Sequence, residues 1–283
     1  MSVKRRETAR QRPWQLVLEP GLTSRNYWSD LWRYRELMYF LAWRDILVRY
    51  KQTAIGVTWA LLRPAATMLV FIAFRRLAGI PSGSAPEPVL VFAAVLPWQF
   101  FSAALTESSA SLIGNANLIS KVYFPRLIIP AAAVATAVVD FAITLGLLAA
   151  LMVWYGVAPG WELLALPVFV AMAIALSLGV GVCLAALNVE YRDFRYIVPF
   201  VVQFGLFISP IAFTLSSVPE RWQALLSLNP MVGIIEGFRW SILGNGAALN
   251  LEAVALSTVV TSAAVLLGVR YFRRMERSFA DVI

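Results

Sequence analysis

The sequence predicts an all-α integral membrane protein with six transmembrane helices. Of its 283 residues, 60% are apolar and 14% are charged, whereas soluble domains average about 45–50% and about 25%. Several apolar stretches reach the roughly 17–25 residues that cross a bilayer. On a six-span topology, nineteen of the 24 lysines and arginines lie on one side of the membrane. This asymmetry places both termini in the cytoplasm.

The first 51 residues are predicted to lie outside the bilayer. Residues 1–26 are basic and show no periodicity, which predicts a flexible cytoplasmic tail. Residues 27–51 gather apolar side chains on one side, which predicts an amphipathic helix in the headgroup region, where tryptophan is enriched and long arginine stems can snorkel. A soluble helix packed on another domain is the alternative. The candidate residues of this interface helix are Trp28, Trp32, Trp43 and Arg49.

Residues 52–283 are predicted to form the transmembrane domain. The six predicted spans are about 55–77, 89–105, 127–155, 163–187, 197–215 and 251–269. A polar stretch, 106–126, and a charged loop, 188–195, face the cytoplasm in this topology. The region 216–250 holds two apolar pieces that are too short to span and are broken by prolines and glycines. This region therefore predicts two short re-entrant helices before the last span.

The ionisable residues exclude several kinds of site. The chain has no histidine and one cysteine. It therefore lacks the ligands of Cys/His zinc sites and cannot form an intramolecular disulfide. It also lacks the histidine base that activates the nucleophile in Ser-His-Asp and Cys-His sites. None of its three lysines follows a glycine, so the GxxxxGK[ST] phosphate loop is missing. We therefore expect no metal or cofactor on this chain; if ATP and Mg²⁺ drive the protein, another chain binds them. The net charge of +8 follows from the membrane asymmetry and predicts no nucleic-acid partner.

Two charged residues fall inside predicted spans, where a charge at the bilayer centre costs about 2.5–3.5 kcal/mol. Asp140 lies mid-span, and it either lines a polar pathway or is the hydrogen-bond partner of a neighbouring helix. Arg63 precedes Pro64, and it either lines a pathway or anchors its span at the cytoplasmic interface. Asp140 should face protein or water rather than lipid.

Three segments carry a family resemblance. The first is LPWQFFSAAL from Leu96, followed by SLIGNANLISKVYFPR from Ser111 to Arg126. The second is LNVEYRD from Leu187, with Pro199 and the later SPI from Ser209. The third is LNPMVGIIEGFRW from Leu228 to Trp240. Together they resemble the membrane subunit of ABC-2 type polysaccharide exporters, the permeases that export O-antigen, capsular polysaccharide and teichoic acid. The resemblance covers about residues 27–275.

The resemblance implies a homodimeric permease in the bacterial inner membrane, with an interface helix, six spans and two re-entrant helices. It implies a pore along the dimer axis for a lipid-linked polysaccharide and two copies of a separate ABC ATPase on the cytoplasmic face. A short helix over 115–121 would dock on that ATPase; an ordinary cytoplasmic loop is the alternative. The corresponding coupling residues are Asn115, Asn117, Leu118, Ile119, Lys121, Tyr123, Phe124, Pro125 and Arg126.

Further candidate residues follow for the pore and its periplasmic mouth. Aromatic faces can stack on sugar rings, although most interfacial aromatics contact headgroups. The candidate pore-lining residues are Trp59, Arg63, Trp98, Phe101 and Asp140. In the third segment the candidates are Pro230, Glu236 and Arg239; the latter two, spaced i, i+3, can pair on one short helix. They either form the mouth of the pore or only stabilise that helix.

The sequence thus predicts a transport permease rather than an enzyme. A permease for a small lipophile or drug, built on the same fold, is the alternative.

Overall fold

A computed structural model describes residues 27–51, 57–80, 85–247, 249–276 and 279. These residues form eleven α-helices and three short 3₁₀ segments, with no strand among them. The predicted tail, residues 1–26, lies outside the described residues, as do residues 52–56 at the start of the first predicted span.

The helices follow one another closely along the chain. They are α1 (Tyr27–Arg33), α2 (Arg35–Lys51), α3 (Val57–Leu77), α4 (Glu87–Gly114), α5 (Ala116–Lys121), α6 (Ile128–Trp154), α7 (Leu166–Glu190), α8 (Phe194–Ile208), α9 (Glu220–Ser227), α10 (Pro230–Leu243) and α11 (Leu251–Met275). The 3₁₀ segments are Trp161–Ala165, Leu215–Ser217 and Gly244–Gly246.

Four segments are long and apolar enough to cross a membrane. They are α4, α6, α11 and Trp161–Glu190, which joins the first 3₁₀ segment to α7. By contrast, α3 carries three arginines among its 21 residues. The 15 residues of α8 cover about 22 Å, less than the roughly 30 Å of a bilayer core. The all-helical membrane architecture is confirmed, and the six-span count stays a prediction.

The central helix, α4, extends beyond the predicted second span, which ended at residue 105. It continues to Gly114, through residues assigned from sequence to a polar loop. The polar side chains bond back to their own helix: Ser109 Oγ donates to the Thr106 carbonyl and Ser111 Oγ to the Ser108 carbonyl, over 2.8 and 2.7 Å. Ser108 and Ser109 are buried in the bundle, whereas Thr106 and Gly114 are exposed, so protein covers one side of this polar end.

The fifth predicted span, 197–215, is wrong in its second half, because α8 ends at Ile208. Ser209 precedes Pro210 and has an extended ψ of 148°, as the steric conflict with a following proline requires. The chain beyond Ser209 turns back into the protein, where Ile211 and Ala212 are buried. A continuous apolar run in the sequence therefore covers a helix and a buried loop.

Glycines in the left-handed region end α3 and α6. Gly79 has φ 65° and Gly156 has φ 66°. The Ile80 N–H donates to the Arg75 carbonyl, and the Val157 N–H donates to the Met152 carbonyl; these are the 6→1 bonds of a Schellman motif. Both helices therefore stop within a residue of the ends predicted from sequence.

Two glycines let α7 and α11 approach closely. A Cβ added at Gly179 would lie 2.6 Å from the backbone nitrogen of Val265, and one added at Gly268 would overlap the carbonyl oxygen of Gly179. The obstructing atoms belong to the backbone, so a side-chain movement cannot make room. Small residues at such crossings are typical of helix packing in membranes.

Gly268→Ala should destabilise the protein. Alanine favours an isolated helix over glycine by about 1 kcal/mol, but here the overlap with Gly179 should cost about 1–3 kcal/mol or more. The matched control is Gly146→Ala in α6, where nothing lies within 4 Å of the added Cβ. Thermal unfolding in detergent should show a lower midpoint for Gly268→Ala alone. Equal midpoints for the two variants would contradict the close crossing.

Candidate functional site

The predicted coupling residues lie together at the α5 end of the bundle. The predicted short helix is present as α5, whose N-cap is Asn115. Ile119, Phe124 and Pro125 are buried and anchor the segment, while Asn117 and Tyr123 are exposed. The remaining members differ in exposure: Lys121 is exposed, and Asn115, Leu118 and Arg126 are half-buried. The segment thus has an apolar side held by the bundle and a polar side open to a partner.

An apolar cluster joins this segment to the two ends of the described chain. Ile119 and Phe124 belong to the same buried cluster as Tyr27 of α1 and Phe272 of α11. A cleft of about 450 Å³ opens between α1, residues 119–126 and the end of α11. The α5 end is therefore built from three parts of the sequence.

The predicted interface helix is two helices, α1 and α2, with a turn at Tyr34; the single helix expected from sequence is corrected in this respect. Part of the predicted apolar side packs against the helix bundle, and part of it is exposed. Ala42 is buried in the cluster that includes the start of α6, whereas Trp28, Trp32 and Trp43 are exposed. The exposed tryptophans are available to a membrane surface or to a partner.

A hydrogen bond ties α2 directly to α5. Arg44 Nη2 donates to Asn115 Oδ1 over 3.1 Å, and Asn115 Nδ2 donates to the Ser111 carbonyl over 2.9 Å. The residue that begins α5 is thus held both by α2 and by the end of α4. Arg44 also pairs with Asp45 over 2.8 Å at the surface.

A polar cluster of four side chains, Arg49, Tyr50, Glu107 and Asp140, joins α2 to α4 and α6. Arg49 Nη2 lies 2.7 Å from Glu107 Oε1. Arg49 Nη1 and the Tyr50 hydroxyl both donate to the Asp140 carboxylate. Asp140 is therefore the hydrogen-bond partner of a neighbouring helix, which is one of the two roles considered from sequence.

Burial and charge shape the titration of the two cluster residues on α2. Burial alone lowers the pKa of Arg49, but its bonds to Glu107 and the charge of Asp140 outweigh burial and raise that pKa. Burial and the bond to Asp140 raise the pKa of Tyr50. Arg49 thus stays cationic and Tyr50 stays a hydrogen-bond donor at physiological pH.

The candidate pore-lining residues do not converge within one chain. Trp59 and Arg63 are exposed on α3, and Phe101 is half-buried on α4. Trp98 is buried and packs on Phe101 with 5.7 Å between ring centroids; a Cβ added at Gly205 of α8 would meet the Trp98 ring. Asp140 lies in the polar cluster.

Two helices that flank α4 expose large apolar side chains. Both α3 and α8 pack on α4. The exposed large apolar residues of α3 are Trp59, Leu62, Leu69, Val70, Phe74 and Leu77, and those of α8 include Tyr196, Phe200, Phe204 and Phe207. Phe200 and Phe204 lie against each other, with 4.5 Å between ring centroids. These faces suit lipid or a second copy of the chain.

The pair in the third segment forms as predicted, but it lies inside the protein. Asn229 caps α10 by accepting from the Met231 N–H over 3.0 Å, and Pro230 occupies the first turn, where its missing N–H is not needed. Arg239 Nη1 lies 3.7 Å from Glu236 Oε1. Arg239 is only 1% exposed.

Arg239 and Arg75 together hold the loop after α8. Arg239 donates to the carbonyls of Leu90, Ile211 and Phe213 over 3.3, 2.7 and 2.9 Å. Arg75, which the sequence suggests only as a charge at a span end, is also 1% exposed. It donates to the Ala212 carbonyl over 2.6 Å. Two buried guanidinium groups thus satisfy consecutive carbonyls of a loop that crosses the bundle.

Sequence reasoning missed Glu107, Tyr50 and Glu276 as members of these networks. Glu107 is the only carboxylate between Glu87 and Asp140, and an isolated acid next to an apolar span is the signal that could have identified it. Glu276, just after α11, accepts a bond from the Arg126 N–H over 2.8 Å. No feature of the sequence pairs residues so far apart.

The sequence of this chain is similar to one protein family and to several named proteins. The family described as ABC-2 type transporter matches residues 36–243, from α2 to the end of α10. The chain is 29% identical over 213 residues to the O-antigen export system permease protein RfbA of Myxococcus xanthus, covering 74% of this chain and 81% of that protein. A protein of the same name from Klebsiella pneumoniae is 24% identical over 250 residues, or 88% and 95% of the two chains. The polysialic acid transport protein KpsM of Escherichia coli is 26% identical over 244 residues, or 83% and 92%.

Proposed function

The chain belongs to the ABC-2 type transporter family, and we propose that it is the permease subunit of an ABC transporter that exports a lipid-linked, O-antigen-like polysaccharide. The observation that carries this proposal is the similarity, over most of both chains, to relatives named for O-antigen export and polysialic acid transport. The chain is a transport subunit and not an enzyme. ATP and Mg²⁺ bind a separate ATPase subunit, which supplies the energy.

The permease lies in the bacterial inner membrane with six spans and both termini in the cytoplasm. In this topology α3 and α8 join the four longer helices. The charges at the end of α3 are compatible with a span because Arg75 is buried, and Arg76 lies 3.0 Å from Glu87. The excess of lysine and arginine in the segments assigned to the cytoplasm supports the orientation.

Two copies of the chain form the transporter, with the polysaccharide path between them. The exposed aromatic faces of α3 and α8 support this arrangement, because Trp59 and Phe200 are available to a second copy or to sugar rings. Arg63, also exposed on α3, would lie on the same path. Trp98 packs inside one chain and serves to hold α8 against α4.

The α5 end of the bundle receives the ATPase. An exposed polar side on Asn117 and Lys121, backed by the buried Ile119 and Phe124, supports a docking role for this segment. The Arg44–Asn115 bond and the polar cluster connect that surface to α2, α4 and α6. A movement of the ATPase would therefore reach the bundle through bonded contacts.

Deleting the gene should remove the polysaccharide from the cell surface and leave lipid-linked polysaccharide at the cytoplasmic face of the inner membrane. Synthesis continues in the cytoplasm while the exit path is lost. Surface staining and extraction of lipid-linked glycans from inner membranes would measure both changes, with a plasmid copy as the control.

The same strains separate the proposal from a permease for a small lipophile or drug. Normal surface polysaccharide with increased sensitivity to a lipophilic compound would favour that alternative. The purified complex with its ATPase should hydrolyse ATP, and the isolated chain should not. Hydrolysis by the isolated chain would overturn the assignment of ATP to a partner.

A further inference from the structure

The end of α11 holds the segment that follows α5. The Arg126 N–H donates to Glu276 Oε1 over 2.8 Å, and Arg126 Nη1 donates to the Glu276 carbonyl over 2.5 Å. The Arg126 guanidinium also lies over the ring of Phe279, with 5.9 Å from Cζ to the ring centroid. Arg126 is therefore bonded, through main chain and side chain together, to residues 150 positions away in the sequence.

Phe279 packs beside this contact. Its side chain is 0% exposed and lies edge-on to Phe272 of α11, with 5.3 Å between ring centroids. Phe279 belongs to the same buried cluster as Phe124 and Leu127, the residues on either side of the Pro125–Arg126 pair. Removing the ring would leave Arg126 without one wall of its surroundings.

The carboxylate of Glu276 is buried and therefore needs hydrogen-bond donors. Burial raises the pKa of its carboxyl above the usual range, and the Arg126 N–H, Tyr27 and the charges of Arg126 and Arg273 offset only part of that rise. The Arg273 guanidinium lies over the Tyr27 ring, with 4.7 Å from Cζ to the centroid. A buried carboxylate without aimed donors is costly, so the arrangement restricts where Arg126 can lie.

We infer that Glu276 and Phe279 are positioning residues for ATPase coupling, which hold residues 123–126 in the orientation that α5 needs to transmit movement. The inference rests on the proposed function. A six-residue helix is too short to be stable alone, so the direction of α5 depends on the contacts of the residues before and after it. Arg44 holds Asn115, where α5 begins. Glu276 holds Arg126, which lies five residues after the end of α5 at Lys121.

The test uses the complete transporter with its ATPase and measures amide hydrogen exchange in residues 121–128. Glu276→Ala should speed exchange there by about tenfold or more, because the Arg126 N–H loses its acceptor and opens locally. Phe279→Ala should act in the same direction. Glu276→Gln retains an Oε1 acceptor and should stay near wild type. Glu252→Ala, an exposed acid at the other end of α11, is the matched control.

The functional readout is the amount of polysaccharide exported per ATP hydrolysed. Glu276→Ala and Phe279→Ala should lower this ratio by about fivefold or more, the range of coupling between sites. The amount of ATPase that copurifies should stay close to wild type, and Glu276→Gln should restore the ratio. Because Phe279→Ala empties a buried site and lowers the thermal midpoint, the ratio is measured on the folded complex. A merely structural role would lower the midpoint and leave the ratio unchanged.

Two results would overturn the inference: unchanged exchange in Glu276→Ala, or faster exchange with an unchanged export ratio. A wild-type complex that exports no polysaccharide would refute the proposed function instead. In that case the exchange comparison would still decide whether the end of α11 holds Arg126, so the two failures are distinguishable.

Discussion

Replacing Arg239 with methionine is expected to prevent stable folding. The guanidinium donates to the carbonyls of Leu90, Ile211 and Phe213 and lies 3.7 Å from Glu236. Methionine fills a similar volume but leaves these acceptors without a donor. Removing one partner of a buried charged pair costs about 3–5 kcal/mol, a large share of the roughly 5–15 kcal/mol that stabilises a typical protein.

The measurement is the monodisperse fraction in detergent and the thermal midpoint of whatever folds. Arg239→Lys keeps the charge but replaces a fork of donors with a single ammonium, so its loss should be intermediate. Arg221→Met is the matched control, because Arg221 is exposed on α9 and should tolerate the change. A wild-type yield and midpoint for Arg239→Met would show that the loop after α8 does not depend on these bonds.

The ends of helices were predictable where local chemistry sets them. α6 runs from Ile128 to Trp154, against 127–155 from sequence, because Gly156 adopts φ 66° and stops the helix. Likewise α11 begins at Leu251, as predicted, where Asn250 caps it by accepting from the Ala253 N–H over 3.0 Å. A capping side chain or a glycine acts over a few residues, so the sequence contains the whole signal.

The full length of α4 and the burial of the loop after α8 were not predictable, because distant contacts set them. The polar end of α4 stays helical where Ser108 and Ser109 are buried in the bundle. The loop after α8 is buried because Arg75 and Arg239, which lie far away in the sequence, donate to its carbonyls. Hydropathy along the chain reports how apolar a segment is and does not report which residues surround it.

The candidate site shows the same division. An acidic side chain inside a membrane span needs a polar partner or water, so Asp140 was expected to face protein or water, and it does bond to protein side chains. The partner of Asp140 is Arg49, which lies 91 positions away in the sequence. On a helical projection of residues 27–51, Arg49 only interrupts the apolar side, so the projection does not reveal the pair. The i, i+3 pair of Glu236 and Arg239 was predicted because both residues share one helix. The carbonyl acceptors of Arg239 belong to α4 and to a loop, so no local pattern reveals them.

Arg49→Gln is expected to loosen α2 from the bundle and to abolish most export. The substitution leaves Glu107 and Asp140 beside each other without their cation. Hydrogen bonds to charged groups contribute about 1.5–3 kcal/mol when buried, and less here, because the Arg49 side chain is 33% exposed and water screens the pair. The thermal midpoint in detergent and export by the complete transporter would measure the two effects. Arg33→Gln in α1, which changes an exposed arginine, is the control and should change the midpoint little.

Neutralising the acids should reverse the loss of stability. Asp140→Asn alone is expected to be mild, since Arg49 keeps Glu107 as its partner. In the Arg49→Gln background, Asp140→Asn should raise the midpoint, because it removes the repulsion between the two carboxylates and keeps an acceptor for Tyr50. The double variant should therefore be more stable than the sum of the single changes predicts, with an interaction energy of about 0.5–3 kcal/mol. Strict additivity would show that the four side chains do not act as one cluster, and export that recovers together with stability would show that the cluster holds α2 without transmitting movement.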